Sequence, residues 1–180
     1  MKQDLIAEIK IPEGIEVKVD DGIFTAKGSK GEVSKNLANP KINIDIKDKK
    51  VVISSKKATK REKTMIGTFK SHIKNILEGV KGGYVYKLKI CSTHFPMTAA
   101  VNNGEFSVQN FLGEKIPRTF KILPGVDVKI EGQEITIESP DKEAAGQTAA
   151  SVEQLCRITN KDKRIFQDGI YMVSKAEKNE

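Results

Sequence analysis

Residues 19–26 read VDDGIFTA, and residues 101–108, which lie 82 positions later, read VNNGEFSV. In the first copy, apolar and polar residues alternate on both sides of Asp21-Gly22, which is typical of a half-buried β-hairpin with a tight turn. The second copy carries Asn103-Gly104 at the same place. A match at a fixed distance indicates two copies of one structural module.

The repeat continues through the rest of each half of the chain. Four alternating apolar residues of the first half recur at a shift of 84: Ile44, Ile46, Val51 and Ile53 match Val128, Ile130, Ile135 and Ile137. A helical pattern recurs at a shift of 79, where Ile66, Gly67 and Ile73 match Ala145, Gly146 and Val152. We therefore predict two domains, residues 1–81 and 82–180, joined near the segment GVKGG at 79–83.

Each module is predicted to place strands before one helix. In the first, the turn Asp48-Lys49 joins two strands, and an apolar stripe predicts a helix from about residue 58 to 78, stopped by Gly79. In the second, strands are predicted at 97–101, 106–111, 126–130 and 135–137. Its helix is predicted to have Ser139 as the cap, Pro140 at the first helical position and Asp141 in the first turn. The inner face of this helix is then formed by Ala145, Thr148, Ala149, Val152 and Leu155.

The predicted fold class is α+β, with two tandem copies of one module. Each copy is an antiparallel sheet with one helix packed on a face. Small side chains at Gly146, Ala149 and Ala150 are expected to let the second helix lie close to its sheet.

The charge of the chain is unevenly distributed. The whole chain carries +7, from 31 Lys and Arg against 24 Asp and Glu, but residues 1–90 carry +9 and residues 91–180 carry −2. The densest basic stretch is residues 47–63, which is predicted to include a strand end and a helix start. Such asymmetry is typical of proteins that bind nucleic acid or an anionic surface, although exposed lysines on a solvated face are an equally ordinary explanation.

Several classes of protein are disfavoured by the sequence. The chain has no apolar run of membrane-spanning length, and its first residues do not read as a signal peptide, so we expect an intracellular protein without a membrane partner. Cys91 and Cys156 have no CxxC spacing and are expected to be buried free thiols. His72 and His94 lack a second ligand at metal-binding spacing, so we expect neither a metal nor a cofactor.

The sequence also contains few candidates for catalysis. The segment KGSKG at residues 27–31 resembles a phosphate-binding loop in composition only, and it leads into a strand, so we interpret it as a basic turn. His94 is expected to lie in a loop and to form a local hydrogen bond. Asp20 and Asp21 suggest a nuclease metal site, but turn chemistry accounts both for them and for Asn102-Asn103.

The segment from residue 157 to residue 172 interleaves basic and aromatic side chains and then forms a short apolar strand after an Asp-Gly turn. Basic groups can pair with phosphates, while Phe or Tyr can stack on an unpaired base or simply anchor the segment. The alternative is an anchored terminal strand with exposed charges.

The sequence resembles the large ribosomal subunit protein six family, in its archaeal and eukaryotic branch. The resemblance covers essentially all 180 residues. It is carried by the segment THFPM at 93–97, the helix start Asp141-Lys142, the small residues Gly146, Ala149 and Ala150, and the tail positions Gln154, Ile158, Lys161, Arg164, Phe166, Asp168, Gly169, Ile170, Tyr171, Met172 and Lys175. Bacterial members carry a Gly-Lys-Gly type of tail where this chain has Gln167-Asp168-Gly169.

The resemblance implies a cytoplasmic, non-enzymatic constituent of the large ribosomal subunit. Its partners would be large-subunit (23S-type) rRNA, near the sarcin–ricin loop and the translation-factor-binding region, and neighbouring large-subunit proteins, with no small-molecule substrate. The second domain would supply the contacts. The predicted rRNA-binding residues are Arg157, Lys161, Lys163, Arg164, Phe166, Tyr171 and Lys175, with Lys115, Arg118 and His94 as weaker loop candidates.

Two other functions remain open from the sequence. One is a non-ribosomal adaptor for protein interactions, in which the lysines serve solubility. The other is an enzyme of nucleic-acid metabolism that uses Asp20, Asp21 and His94.

Overall fold

The computed structural model describes residues 3–47 and 49–178. The chain divides into two compact units, Met1–Gly83 and Tyr84–Glu180, each with its own buried core.

Unit 1 contains six strands followed by one helix. The elements are β1 Gln3–Lys10, β2 Glu16–Asp20, β3 Ile23–Gly28, β4 Gly31–Asn36, β5 Asn43–Lys47, β6 Lys50–Ala58 and α1 Lys60–Gly82. They form two antiparallel three-stranded sheets with the orders β1-β6-β5 and β2-β3-β4. One face of α1 packs into the core, where Ile73 and Val80 are fully buried.

Unit 2 repeats this order and adds one strand. The elements are β7 Tyr84–Cys91, β8 Thr98–Asn102, β9 Glu105–Gln109, a 3₁₀ turn Phe111–Gly113, β10 Arg118–Lys121, β11 Asp127–Glu131, β12 Glu134–Ser139, α2 Lys142–Leu155 and β13 Gly169–Lys178. The sheet orders are β11-β12-β7-β13 and β10-β9-β8, again antiparallel. The predicted tandem α+β modules are confirmed, and each module divides its strands between two sheets.

The repeated hairpin turn has the predicted conformation in both units. Asp21 and Gly22 have φ of 47° and 79°, and Asn103 and Gly104 have φ of 50° and 78°. Two successive positive φ values are what a two-residue turn needs to match the twist of its strands. The turn therefore accounts for Asp21 without a catalytic role. In the other predicted turn, Lys49 has φ of 60°, and Asp48 lies outside the described residues.

The helix boundaries differ from the prediction. Helix α1 runs through Gly79, which is buried, and ends where Gly83 adopts φ of 76° and donates its N–H to the Gly79 carbonyl. Gly79 does not stop the helix, because Gly83 is the residue that adopts a positive φ at its end.

Helix α2 begins later than predicted. Asp141, not Ser139, is its N-cap, and its carboxylate accepts the Glu143 N–H. Ser139 is the last residue of β12, and its hydroxyl donates a hydrogen bond to the Gly125 carbonyl. Pro140 therefore lies between β12 and the N-cap, before the helix starts. The predicted inner face is otherwise buried, except that Leu155 is only half-buried.

Two expectations about side chains also need correction. Cys156 is buried, and burial raises the pKa of its thiol to about 11, but Cys91 is only half-buried. The basic stretch 47–63 does not form one patch. Lys47, Lys49 and Lys50 lie at the turn between β5 and β6, whereas the later basic residues lie at the opposite end of β6 and in the first turn of α1. Within the described part of the chain, neither helix is long and apolar enough to cross a membrane.

Candidate RNA-binding surface

Three loops meet at one end of unit 2, and we call them the loop cluster: residues 92–97 between β7 and β8, 110–117 between β9 and β10, and 156–168 between α2 and β13. The first and third are adjacent because β13 pairs with β7, with Gly169 opposite Cys91. The first and second are joined by a hydrogen bond of 3.0 Å from Asn110 Nδ2 to the Pro96 carbonyl. Most of the predicted binding residues lie in this cluster.

Asp168 holds the first and third loops together. Its side chain is 1% exposed and accepts hydrogen bonds from four donors of residues 93 and 94. The shortest are the Thr93 N–H at 2.5 Å and His94 Nδ1 at 2.6 Å. Burial alone would raise the pKa of Asp168, but these hydrogen bonds outweigh it and hold the pKa far below the ordinary value.

His94 is oriented by this carboxylate and by an aromatic ring. Its ring stacks on Phe166 with 5.0 Å between centroids, and Lys161 Nζ lies 4.6 Å from the centroid of the same Phe166 ring. His94 does form a hydrogen bond, as predicted, but its main partner lies 74 residues away. The Thr93 hydroxyl contacts the same Nδ1 atom as Asp168, so the three groups do not form a catalytic relay through the two nitrogens of the ring.

A pocket of about 200 Å³ brings four predicted residues together. Buried apolar residues, among them Ile158 and Ile170, line it. Its other walls include the exposed cations Arg157 and Lys163 and the rings of Phe166 and Tyr171. Glu153 also lines the pocket, so two cations, one carboxylate and two aromatic rings meet there.

Tyr171 is held in place although 44% of it is exposed. Its hydroxyl donates a 3.0 Å hydrogen bond to the Gln167 carbonyl, and its side chain lies so close to Gly169 that a Cβ there would be 3.3 Å from two ring carbons and the hydroxyl oxygen. Partial burial raises the pKa of Tyr171.

Arg118 is committed to contacts within unit 2. It is the first residue of β10 rather than a loop residue, which corrects the prediction. Its guanidinium forms a two-pronged ion pair with Glu114, donates to the Leu155 carbonyl at 2.7 Å and lies 4.3 Å from the centroid of the Phe111 ring. These contacts connect β10 to the end of α2 and indicate a structural role for this side chain.

Arg164 and the remaining lysines lie outside the pocket lining. The Arg164 side chain is 90% exposed, but its guanidinium pairs with Asp162 at 2.7 Å, and this pairing lowers the pKa of Asp162. Lys115 is exposed in the second loop, and Lys175 is exposed on β13 four residues beyond Tyr171.

Sequence reasoning missed two acidic residues that organise the surface, Asp168 and Glu114. From the sequence, Asp168 was identified only as one position of the tail pattern and as the first residue of the predicted Asp-Gly turn. Its burial depends on the pairing of β13 with β7, which no local sequence signal reveals. Glu114 stands four residues before Arg118, a spacing that in a helix suggests an ion pair but that here occurs in a loop.

Comparison with known proteins decides the family. The model of the family described as Ribosomal protein L6 matches residues 11–83 and again residues 95–169. These two matches correspond to the two repeated modules and together cover most of the chain.

The chain belongs to the ribosomal protein L6 family. Curated relatives named "Large ribosomal subunit protein uL6" are 44% identical over 176 residues in Methanosarcina mazei and 44% over 168 residues in Methanobrevibacter smithii. These matches cover 98% and 93% of this chain and 100% and 94% of the relatives. The relative of the same name in Nanoarchaeum equitans is 46% identical over 181 aligned positions, covering 96% of this chain and 94% of the relative.

These relatives confirm the predicted family and its archaeal branch. The L6 family is a structural, non-enzymatic component of the ribosome, so the prediction that the chain is not an enzyme is confirmed and the nuclease alternative is set aside. In the described ranges, no three His, Cys, Asp or Glu side chains come together as metal ligands would.

Proposed function

We propose that the chain is a structural constituent of the large ribosomal subunit in the cytoplasm, and that the loop cluster of unit 2 binds large-subunit rRNA. The rRNA next to it would be that of the sarcin–ricin loop and the factor-binding region. The observation that carries the proposal is the pocket in which Arg157 and Lys163 stand beside Phe166 and Tyr171.

The cations are suited to contact the RNA backbone. Arg157 and Lys163 are exposed on the surface of the pocket, and Lys161 is held above the Phe166 ring. Basic side chains that pair with phosphates fix the register of a protein on RNA without reading its sequence. The loop cluster would thus recognise the shape and charge of folded rRNA.

The aromatic rings and His94 are suited to contact bases or riboses. Bases in RNA loops and bulges are unstacked and commonly stack on Phe, Tyr or His side chains. Because Nδ1 of His94 is hydrogen-bonded to the Asp168 carboxylate, a neutral His94 ring would carry its proton on Nδ1. Its Nε2 atom could then accept a hydrogen bond from a ribose hydroxyl. Phe166 and Tyr171, which line the pocket, would contact one such base there.

Exposed apolar side chains also support contacts at this end. Each of the three loops carries one, with Phe95 50% exposed, Ile116 80% exposed and Ile165 64% exposed. Large apolar side chains that recur at one end of a unit are typical of an interaction surface. We propose that rRNA and neighbouring large-subunit proteins cover them in the assembled subunit.

The test is the salt dependence of binding to a large-subunit rRNA fragment that contains the sarcin–ricin stem-loop, with a small-subunit rRNA fragment for comparison. If about five phosphates are neutralised, the slope of log affinity against log salt is about −3.5 to −4.5. Lys163→Ala is expected to make that slope shallower by about 0.7 to 0.9.

Lys129→Ala is the matched control, because Lys129 is an exposed lysine of unit 2 on strand β11. If the two variants change the slope equally, the positive charge acts only as a general field and the proposed surface is wrong. Equal affinity of the wild-type protein for the two RNA fragments would also contradict the proposal.

A further inference from the structure

The two units differ at one sheet edge. In unit 2, strand β7 lies between β12 and β13, whereas in unit 1 the sheet order is β1-β6-β5. Within residues 3–47 and 49–178, no strand pairs with the second edge of β1. This edge carries backbone donors and acceptors that a further strand could use.

Strands β1 and β7 are equivalent residue by residue. Against β6, Ala7 pairs with Ile53 and Ile9 with Val51, and against β12, Tyr86 pairs with Ile137 and Leu88 with Ile135. The Ile11 N–H donates to the Lys49 carbonyl, just as the Ile90 N–H donates to Gln133. Position n of β1 therefore corresponds to position n + 79 of β7.

The uncovered edge leaves apolar surface on β1 incompletely buried. Tyr84, Tyr86 and Leu88 on β7 are 2%, 7% and 1% exposed. Their equivalents Leu5, Ala7 and Ile9 pack against the core of unit 1 but are only half-buried. In unit 2, strand β13 covers this edge, and its Ile170 and Met172 lie opposite Ile90 and Leu88.

We propose that the free edge of β1 accepts an extended segment of another protein, antiparallel to β1 in the way that β13 is antiparallel to β7. Such strand addition draws its affinity from main-chain hydrogen bonds and its specificity from alternate side chains. The segment would place two apolar residues, two positions apart, opposite Ile9 and Ile11, the equivalents of Leu88 and Ile90.

Charge defines the outer face of the partner segment. On unit 2, Lys87 forms an ion pair of 3.3 Å with Glu177 of the added strand. The equivalent of Lys87 on β1 is Glu8, whose side chain is 55% exposed and bound to Lys50. Because the sign is reversed, the segment would carry Lys or Arg where β13 carries Glu177.

The backbone geometry identifies the hydrogen-bonding groups. Strand amides alternate in direction, and Ile11 points toward β6, so the amides of Ile6, Glu8 and Lys10 point to the free edge. In the same way, the Ile90 amide points toward β12, so the next amide, that of Lys89, points toward β13. Tyr171 is paired with Lys89, so its amide points toward β7, and the Met172 amide points away from β7.

A synthetic peptide tests the proposal on the folded full-length chain. The probe is residues 169–178 carrying Glu177→Lys, titrated into ¹⁵N-labelled protein and followed by amide chemical shifts. We expect the largest shifts at Ile6, Glu8 and Lys10. N-methylation of the peptide at Tyr171 should weaken binding at least tenfold, and N-methylation at Met172 should leave it within twofold. The peptide with native Glu177 should bind about two- to fivefold more weakly.

Several results would overturn the proposal. Shifts that map away from β1, no binding at millimolar peptide, or equal effects of the two N-methyl groups would each contradict strand addition. Shifts on β1 that depend on protein concentration without peptide would show that a second copy of the chain, not a partner strand, occupies the edge.

Discussion

His94 Nδ1 lies 2.6 Å from Asp168 Oδ2, although 74 residues separate the two in the chain. This contact connects the loop after β7 to the residue before β13, and it orients the ring that stacks on Phe166. The buried Asp168 is therefore the organising residue of a surface whose exposed members are cationic and aromatic.

Asp168→Asn is expected to destabilise unit 2 by about 1–3 kcal/mol, because an amide nitrogen would face hydrogen-bond donors where a carboxylate oxygen accepts now. Urea unfolding of the full chain measures the loss. An unchanged unfolding free energy would show that the four hydrogen bonds contribute little.

The contribution of Asp168 should depend on pH in one direction. Its pKa in the folded protein is well below the ordinary value of about 3.9, so the folded state favours the carboxylate. The stabilisation is fully present above about pH 5 and is lost as pH falls through the unfolded and then the folded pKa. The difference in unfolding free energy between wild type and Asp168→Asn should therefore shrink between about pH 5 and 2. A constant difference over that range would contradict the assignment.

Alanine substitutions of Arg118 and Arg157 should have different effects, the first on stability and the second on RNA binding. Arg118→Ala removes an ion pair, a hydrogen bond and a ring contact, and should cost about 2 kcal/mol of stability without changing the salt slope. Arg157→Ala should leave stability nearly unchanged and make the slope shallower by about 0.7 to 0.9. Unfolding and rRNA binding measured on both variants check this, and the reverse pattern would show that the two roles are misassigned.

Asp162→Asn should strengthen rRNA binding, because it releases the Arg164 guanidinium from its carboxylate partner. Glu131→Gln is the control, since it removes one negative charge from an exposed position on β11. If both variants tighten binding equally in a titration, net charge explains the effect and Arg164 makes no phosphate contact.

Two glycines of unit 1 should respond oppositely to alanine. A Cβ on Gly28 would lie 2.6 Å from the Val80 carbonyl oxygen, which also accepts the Lys30 N–H, so Gly28→Ala should destabilise the protein by about 1–3 kcal/mol. Gly67 lies within α1 with no atom near its added Cβ, so Gly67→Ala should stabilise by about 0.5–1 kcal/mol. Thermal unfolding of both variants measures the signs. Stabilisation by Gly28→Ala would show that β3 and α1 can separate locally.

The repeated hairpin and the helices were predictable because their signals are local. Asp21-Gly22 and Asn103-Gly104 carry their turn type in two residues, and the spacing of Ile66, Phe69 and Ile73 identifies the buried face of α1. Strands β1, β7 and β10 were not predicted. Strand β7 is mostly buried and its first three residues do not alternate, so it lacks the period of a half-exposed strand.

The composition of the surface was predictable, but its organisation was not. A basic and aromatic tail can be recognised in the sequence, whereas the burial of Asp168 and the commitment of Arg118 to Glu114 depend on how distant segments pair. Arg118 and Arg157 look alike in the sequence, and only their neighbours in space distinguish them.

Sedimentation of the full-length chain with its ribosomes tests the central claim most directly. An epitope-tagged chain expressed in an archaeal host of the same family branch should appear in the large-subunit peak of a sucrose gradient and leave it only at high salt. The Lys163→Ala, Arg157→Ala double variant should be released at lower salt than wild type. A chain that stays at the top of the gradient at low salt would contradict the account.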